Sequence, residues 1–461
     1  MRKSLSTLLL LLALSTASAT DLQKMQQAFV DLKFGMFIHF NIPTFTNHDW
    51  PDPEADPAIF NPRLLDCNQW AEAAKSAKMR YGCLTAKHHS GFCIWDTQTT
   101  DYGVMNSPLR RDVVREYADA FRRAGLRVML YYSILDTHHS LRPGFINRHH
   151  IDMVKAQISE LLSNYGHIDA LIIDGWDAPW SRISYEDIPF EEIYNLVKSL
   201  QPQCLLMDLN AAKYPPEMLF YTDIKSYEQG AGQHIAREAN RLPALSCLPI
   251  QKNWFWKPAF PTDTVKSPLR LVRHNLEAFN RAYCNFILNV APNRDGLIDP
   301  NALQALAEIG RLWDDGAPST PLPPADSPII STNLAKHQPV RSSWSDDMMI
   351  MDFGNDDSFR TSWESNPEVS EPWFEIDFPA YQTFNAVMVY DSRNCIRRYS
   401  ILYERNSQWI PLADNAENDR KVKLHRFDPV RGGKVRIVIH SSTRPPAIAE
   451  MGVYNEWRPQ P

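Results

Sequence analysis

The sequence predicts an α/β chain, a (β/α)8-like barrel over residues 20–313 followed by an all-β sandwich over 331–461. Three observations carry this. From residue 34 to 313 short apolar runs alternate with stretches of helical period, the signature of strands joined by crossover helices in a parallel sheet. A segment with five prolines between 314 and 328 then breaks the pattern, and 314–330 reads as an extended linker. Beyond it the runs become short, β-branched and alternating, with turn residues between them and no helical period.

Each element has its own signal. Strands are predicted over 34–40, 82–87, 126–133, 170–174, 203–208, 219–224 and 285–290, where apolar and β-branched residues cluster. Helices are predicted over 70–79, 113–124, 151–165 and 191–200, where apolar residues recur at i, i+3 and i+4. A repeat of this length favours a closed barrel over an open doubly wound sheet. Sandwich strands are expected over 373–378, 384–390, 399–404, 435–440 and 450–454.

Composition narrows the function. The chain has 461 residues, 48 Lys and Arg against 54 Asp and Glu, and a formal charge of −6 without a long basic run. That argues against nucleic acid or an anionic membrane as a partner. Residues 1–19 read as a signal peptide: Arg2 and Lys3, an apolar run from Leu8 to Leu14, then Ala17-Ser18-Ala19. The expectation is export to the periplasm or the medium, with cleavage after Ala19. The seven cysteines are odd in number and form no C-x-x-C pair, so most are expected to be buried thiols. No G-x-G-x-x-G follows a strand, and G-x-S-x-G is absent, which disfavours dinucleotide and serine-hydrolase chemistry.

Polar residues gather where predicted strands end, the face of a barrel that carries catalysis. His39, Lys87-His88-His89, Tyr131-Tyr132-Ser133 and Asp174 take those places. Asp174 closes a buried apolar strand and precedes Gly175. It reads as a functional carboxylate or as a cap for the next helix. Neighbours alternate in a strand, so at most one of His88 and His89 is expected to enter the barrel mouth. His138-His139 and His149-His150 are expected on solvated loops. No set of His, Cys, Asp and Glu has the spacing of a catalytic metal site, and no cofactor is expected.

Five segments then carry a resemblance. Phe34-Gly-Met-Phe-Ile-His39-Phe, Ile59-Phe-Asn-Pro, Leu65-Asp-Cys-Asn-Gln-Trp70, Thr85-Ala-Lys-His-His-Ser-Gly-Phe-Cys-Ile-Trp95 and Asn285-Phe-Ile-Leu-Asn-Val-Ala-Pro-Asn-Arg-Asp-Gly-Leu-Ile298 are similar to the α-L-fucosidases of glycoside hydrolase family 29. The resemblance implies a retaining exo-hydrolase that releases terminal α-L-fucose from glycans through a covalent intermediate. Carried over by position, it implies Asp174 as nucleophile and His39, His88, His89, Trp95 and Tyr131 as sugar-binding residues. Asp49-Trp50 stands where the family has Glu-Trp. The segment Ile224-Lys-Ser-Tyr-Glu-Gln-Gly230 resembles the acid/base region of one branch, which implies Glu228 as acid/base and Lys225 in the place of a sugar-binding arginine. Glu217 is the competing acid, with Glu228 then paired to Lys225. Ser90, Ile172 and Lys225 depart from the family pattern. They keep two alternatives open: a fucose- or galactose-binding protein on a degenerate barrel, and a retaining glycosidase for another sugar such as an α-galactoside.

The tail resembles discoidin-type, galactose-binding-like domains through Asn333-Leu-Ala-Lys-His-Gln-Pro-Val, Thr361-Ser-Trp363-Glu-Ser and Ala449-Glu-Met-Gly-Val-Tyr454. Such domains bind glycans or pack on a catalytic partner, and both readings stand. The resemblance also implies a structural calcium before Thr-x-Trp, where Asp356-Asp357-Ser358 replaces the usual Asp-Gly-Asp.

Overall fold

A computed structural model describes residues 19–316, 319–346 and 348–456. The signal peptide expected over 1–19 lies, all but its last residue, outside them. Eight parallel strands, β1 (Phe34–Ile38), β2 (Tyr81–Lys87), β3 (Arg127–Ser133), β4 (Ala170–Asp174), β5 (Leu205–Asp208), β6 (Lys225–Glu228), β7 (Ala244–Pro249) and β8 (Cys284–Asn289), form one sheet. Their order, β5-β4-β3-β2-β1-β8-β7-β6, wraps into a barrel that stays unpaired between β5 and β6. The helices Cys67–Ser76, Val113–Arg123, Arg148–Asn164, Phe190–Leu200 and Pro300–Leu312 pack outside. Their starts are chemically marked. Asp66, Asp112 and Asn147 accept hydrogen bonds from the first-turn N–H groups of three of them.

Strand alternation divides the core in two. Phe37, Cys83, Met129, Tyr131, Ile172, Met207, Leu245, Cys247 and Ile287 fill the barrel. Their neighbours Met36, Ile38, Leu130, Leu171, Ile173 and Leu206 face the helices. A helix that periodicity did not announce, Ala19–Asp31, adds Phe29 to the interior against Tyr81 and closes the end opposite the strand C-termini.

Two expected features differ. Residues 219–224 are not a strand. Phe220 bridges Ile329 of the linker, and Tyr214 and Phe220 pack on Phe359 of the second domain, so the apolar run is an interdomain face. The strands that follow, β6 and β7, were not foreseen, because Lys-Ser-Tyr-Glu is polar and β7 carries Ser246 and Pro249.

The remaining strands, β9 (Val340–Ser342), β10 (Trp363–Glu364), β11 (Trp373–Asp391), β12 (Ile396–Arg405), β13 (Gln408–Glu417), β14 (Val422–Ser442) and β15 (Ala447–Tyr454), make the antiparallel sandwich. Strands β11 and β14 each join two expected or unforeseen segments through bulges, which let one strand serve both layers. The calcium implied for this domain does not fit the residues present. Asp356 accepts Ser358 N–H at 3.0 Å and the Thr361 hydroxyl at 2.8 Å, and the Lys336 ammonium lies 2.9 Å from Asp357. All seven cysteines are buried free thiols.

Candidate active site

The C-terminal ends of the barrel strands surround a cavity of about 290 Å³. His39, Asp49, Trp50, His88, His89, Asp174 and Glu228 line it, as do Phe37, Trp180, Leu209, Trp254 and Phe255. Inner-face alternation explains the delivery. Residue 37 on β1, residue 39 just past its end, and 170, 172 and 174 on β4 share the interior parity, so the residue that ends each series emerges at the mouth.

Both His88 and His89 reach the cavity, contrary to expectation. A register shift between Thr85 and Lys87 turns the Lys87 side chain outward, to Tyr132, Gln157 and Asp136, and the strand ends there. The two histidines then lie in a turn, where alternation no longer applies. The Lys87–Asp136 pair beneath them is fully buried at 3.1 Å, and its partners hold Lys87 charged. His139 is not solvated but bonds to Asp136 at 2.9 Å, His138 stacks on Tyr102, and His149 and His150 open the helix Arg148–Asn164.

Hydrogen bonds set the imidazole tautomers. Asn289 donates its amide to Trp254 O, which aims its oxygen at His39 Nδ1, 2.8 Å away. Ser133 donates to Leu135 O and accepts from His89 Nδ1 at 2.8 Å. Each ring therefore carries its proton on Nδ1, leaving Nε2 as an acceptor; His89 Nε2 lies 3.9 Å from Asp174 Oδ2. His88 Nδ1 is buried without a partner among the described residues. Burial pushes His39 and His89 down to about 3 and holds His88 far below its ordinary value, so all three rings are neutral at working pH.

Asp174 accepts the Tyr131 hydroxyl at 2.7 Å on Oδ2 and the Asn210 amide at 2.8 Å on Oδ1, with Gly175 N–H as a third donor. These bonds oppose the burial that raises its pKa. Gly175 is required locally: its φ is +110°, and a Cβ there would meet Leu135 N at 3.1 Å. Glu228 is half-buried and has fewer donors. Burial and the Asp174 charge push it up to about 7, against one donor, Trp254 Nε1 at 3.2 Å. Trp256 goes instead to Asp299, and Tyr227 faces the helices.

Two expected sugar contacts lie elsewhere. Lys225 has the outer parity of β6, opposite Glu228, and its ammonium is buried on the carbonyls of Tyr214 and Pro215. Trp95 is fully buried under the helix Arg148–Asn164, with Nε1 2.8 Å from Glu160. The Lys225–Glu228 pair is not formed, and Glu217 sits at the domain seam with Lys421 and Tyr390. Asp49 is at the rim, paired to Lys257 at 2.6 Å. Sequence reasoning missed Asn210 and Trp180. Asn210 was accessible by the criterion that found Asp174, a polar residue just past a buried strand; Trp180, on the long loop after β4, had no such signal.

A parallel barrel whose mouth holds a carboxylate with three donors, a second carboxyl with a single donor and a raised pKa, and three neutral imidazoles defines a glycoside hydrolase. The Alpha-L-fucosidase family model matches residues 46–315, and the F5/8 type C domain model matches 332–451. The chain belongs to the alpha-L-fucosidase family. It is 26% identical over 453 residues to Alpha-L-fucosidase 1 of Arabidopsis thaliana, covering 91% of this chain and 84% of that protein. Against the tissue alpha-L-fucosidase of Mus musculus it is 23% identical over 334 residues, covering 63% of this chain and 70% of the other. The fold is similar to that of alpha-L-fucosidase isoenzyme 1 from Paenibacillus thiaminolyticus, with a TM-score of 0.56, 24% identity and coverage of 91% of this chain and 99% of that one.

Proposed function

We propose that Asp174 is the nucleophile and Glu228 the acid/base of a retaining exo-α-L-fucosidase that acts, after export, on the terminal α-L-fucose of glycans. The observation that carries this reading is the contrast between the two carboxyl groups, one with three donors opposing its burial and the other with a single donor and pushed up to about 7. A binding protein needs no such contrast. Asp174 attacks the anomeric carbon as Glu228 gives its proton to the leaving oxygen; Glu228 then takes a proton from water, which cleaves the glycosyl ester. Neutral His39, His88 and His89 hold sugar hydroxyls, and Phe37, Leu209 and Phe255 supply the apolar niche that the 6-methyl group requires.

The test is the variant Asp174→Gly. Turnover of an aryl α-L-fucoside should fall at least about a thousandfold and return in part with azide, which attacks from the vacated side. Near-normal turnover without azide refutes the assignment.

A further inference from the structure

The loop after β4 presents an exposed indole at the edge of the cavity. Trp180 stands at the rim of the cavity with 41% of its surface exposed, beside Trp50 at 49%. Its ring lies 4.3 Å from His89 and 5.4 Å from Trp50, the latter edge-on at 73°. The loop holds it there. Trp176 is buried and donates to Ile188 O, Ser181 bonds back to Gly175 O, and Lys213 pairs with Asp177. Asp177 and Arg182 both take left-handed backbone, at φ +46° and +54°, conformations that non-glycine residues adopt at a cost. A loop tied down by these contacts thus presents a large apolar face to water at the mouth of the site.

The cavity itself, about 290 Å³, is at the small end for ligand pockets and accommodates one pyranose ring. The ring on the other side of the cleaved bond must then lie outside it, where Trp50 and Trp180 are the exposed aromatic faces of the rim. A pyranose presents a C–H face that packs on an indole, and such contact is worth more than its area alone. We infer that Trp180 is the platform for the sugar ring of the leaving group, making this enzyme selective for fucose linked to another sugar. The inference rests on the α-L-fucosidase reading.

The test compares α-L-fucosyl fluoride, which has no leaving-group ring, with a panel of fucosylated disaccharides, for the wild type, Trp180→Ala and Trp180→Phe. Trp180→Ala should lower kcat/KM on its best disaccharide about tenfold more than on the fluoride, chiefly through KM; Trp180→Phe should recover most of that difference. Equal losses on both substrates overturn the inference, because Trp180 then serves the fucose ring or the fold. No loss on any disaccharide overturns it as well. A wild type that fails to turn over the fluoride refutes the fucosidase reading, and the inference with it.

Discussion

Asn210 is a positioning residue, and its removal has a calculable effect on the proposed nucleophile. Its amide donates to Asp174 Oδ1 at 2.8 Å inside a fully buried site. A hydrogen bond to a charged group contributes about 1.5–3 kcal/mol, and one pKa unit corresponds to about 1.36 kcal/mol. Asn210→Ala should therefore raise the Asp174 pKa by about one to two units. The sign follows from the chemistry: the bond favours the ionised form, so without it Asp174 protonates at higher pH and the enzyme loses its nucleophile sooner on acidification. In a profile of kcat/KM against pH with an activated aryl α-L-fucoside, the acid limb should move up by that amount. The rate well above the limb should change less, because a donor that stabilises the carboxylate also restrains its attack. Tyr131→Phe, which removes the donor to Oδ2, is the matched control. An acid limb that stays in place for Asn210→Ala while Tyr131→Phe shifts it would refute the assignment of Asn210 to the ionised carboxylate.

On the proposed assignment the basic limb belongs to Glu228. Its raised pKa means that the proton needed for departure is lost as pH rises through about 7, so kcat/KM should fall there. Glu228→Ala should abolish that limb and cripple disaccharide hydrolysis while sparing glycosylation by an aryl fucoside; equal losses on good and poor leaving groups would transfer the role. Gly91→Ala should destabilise the barrel by about 2–4 kcal/mol in chemical denaturation. Its φ is +88°, and a Cβ would sit 2.2 Å from Asp136 Oδ1, disrupting the buried pair with Lys87. A loss below about 1 kcal/mol would show that this pair tolerates displacement.

The local pattern of β4, an apolar run, a terminal carboxylate and a glycine, singles out Asp174 but leaves it between a functional carboxylate and a helix cap. Strand-end position likewise singles out His39, just past β1. Lys225 and Trp95 show where that reasoning stops. Position in a motif puts them beside functional neighbours, but the parity of a four-residue strand turns Lys225 away from the mouth, and the helix Arg148–Asn164 covers Trp95. The run 219–224 was apolar for a reason outside the barrel, the contact with Phe359.

Periodicity, strand-end polarity and the linker by themselves determined the two-domain architecture, because hydrophobic spacing is a property of the chain and every register must respect it. They also determined which carboxylate ends a buried strand. Only the tertiary structure decided that Asp174 is held by donors from β3 and the β5 loop while Glu228 has a single donor, that a bulge in β2 sends both His88 and His89 to the mouth, and that Trp180 reaches its rim. Those outcomes depend on desolvation, on hydrogen bonds between distant segments and on strand register, none of which exists until the barrel has formed.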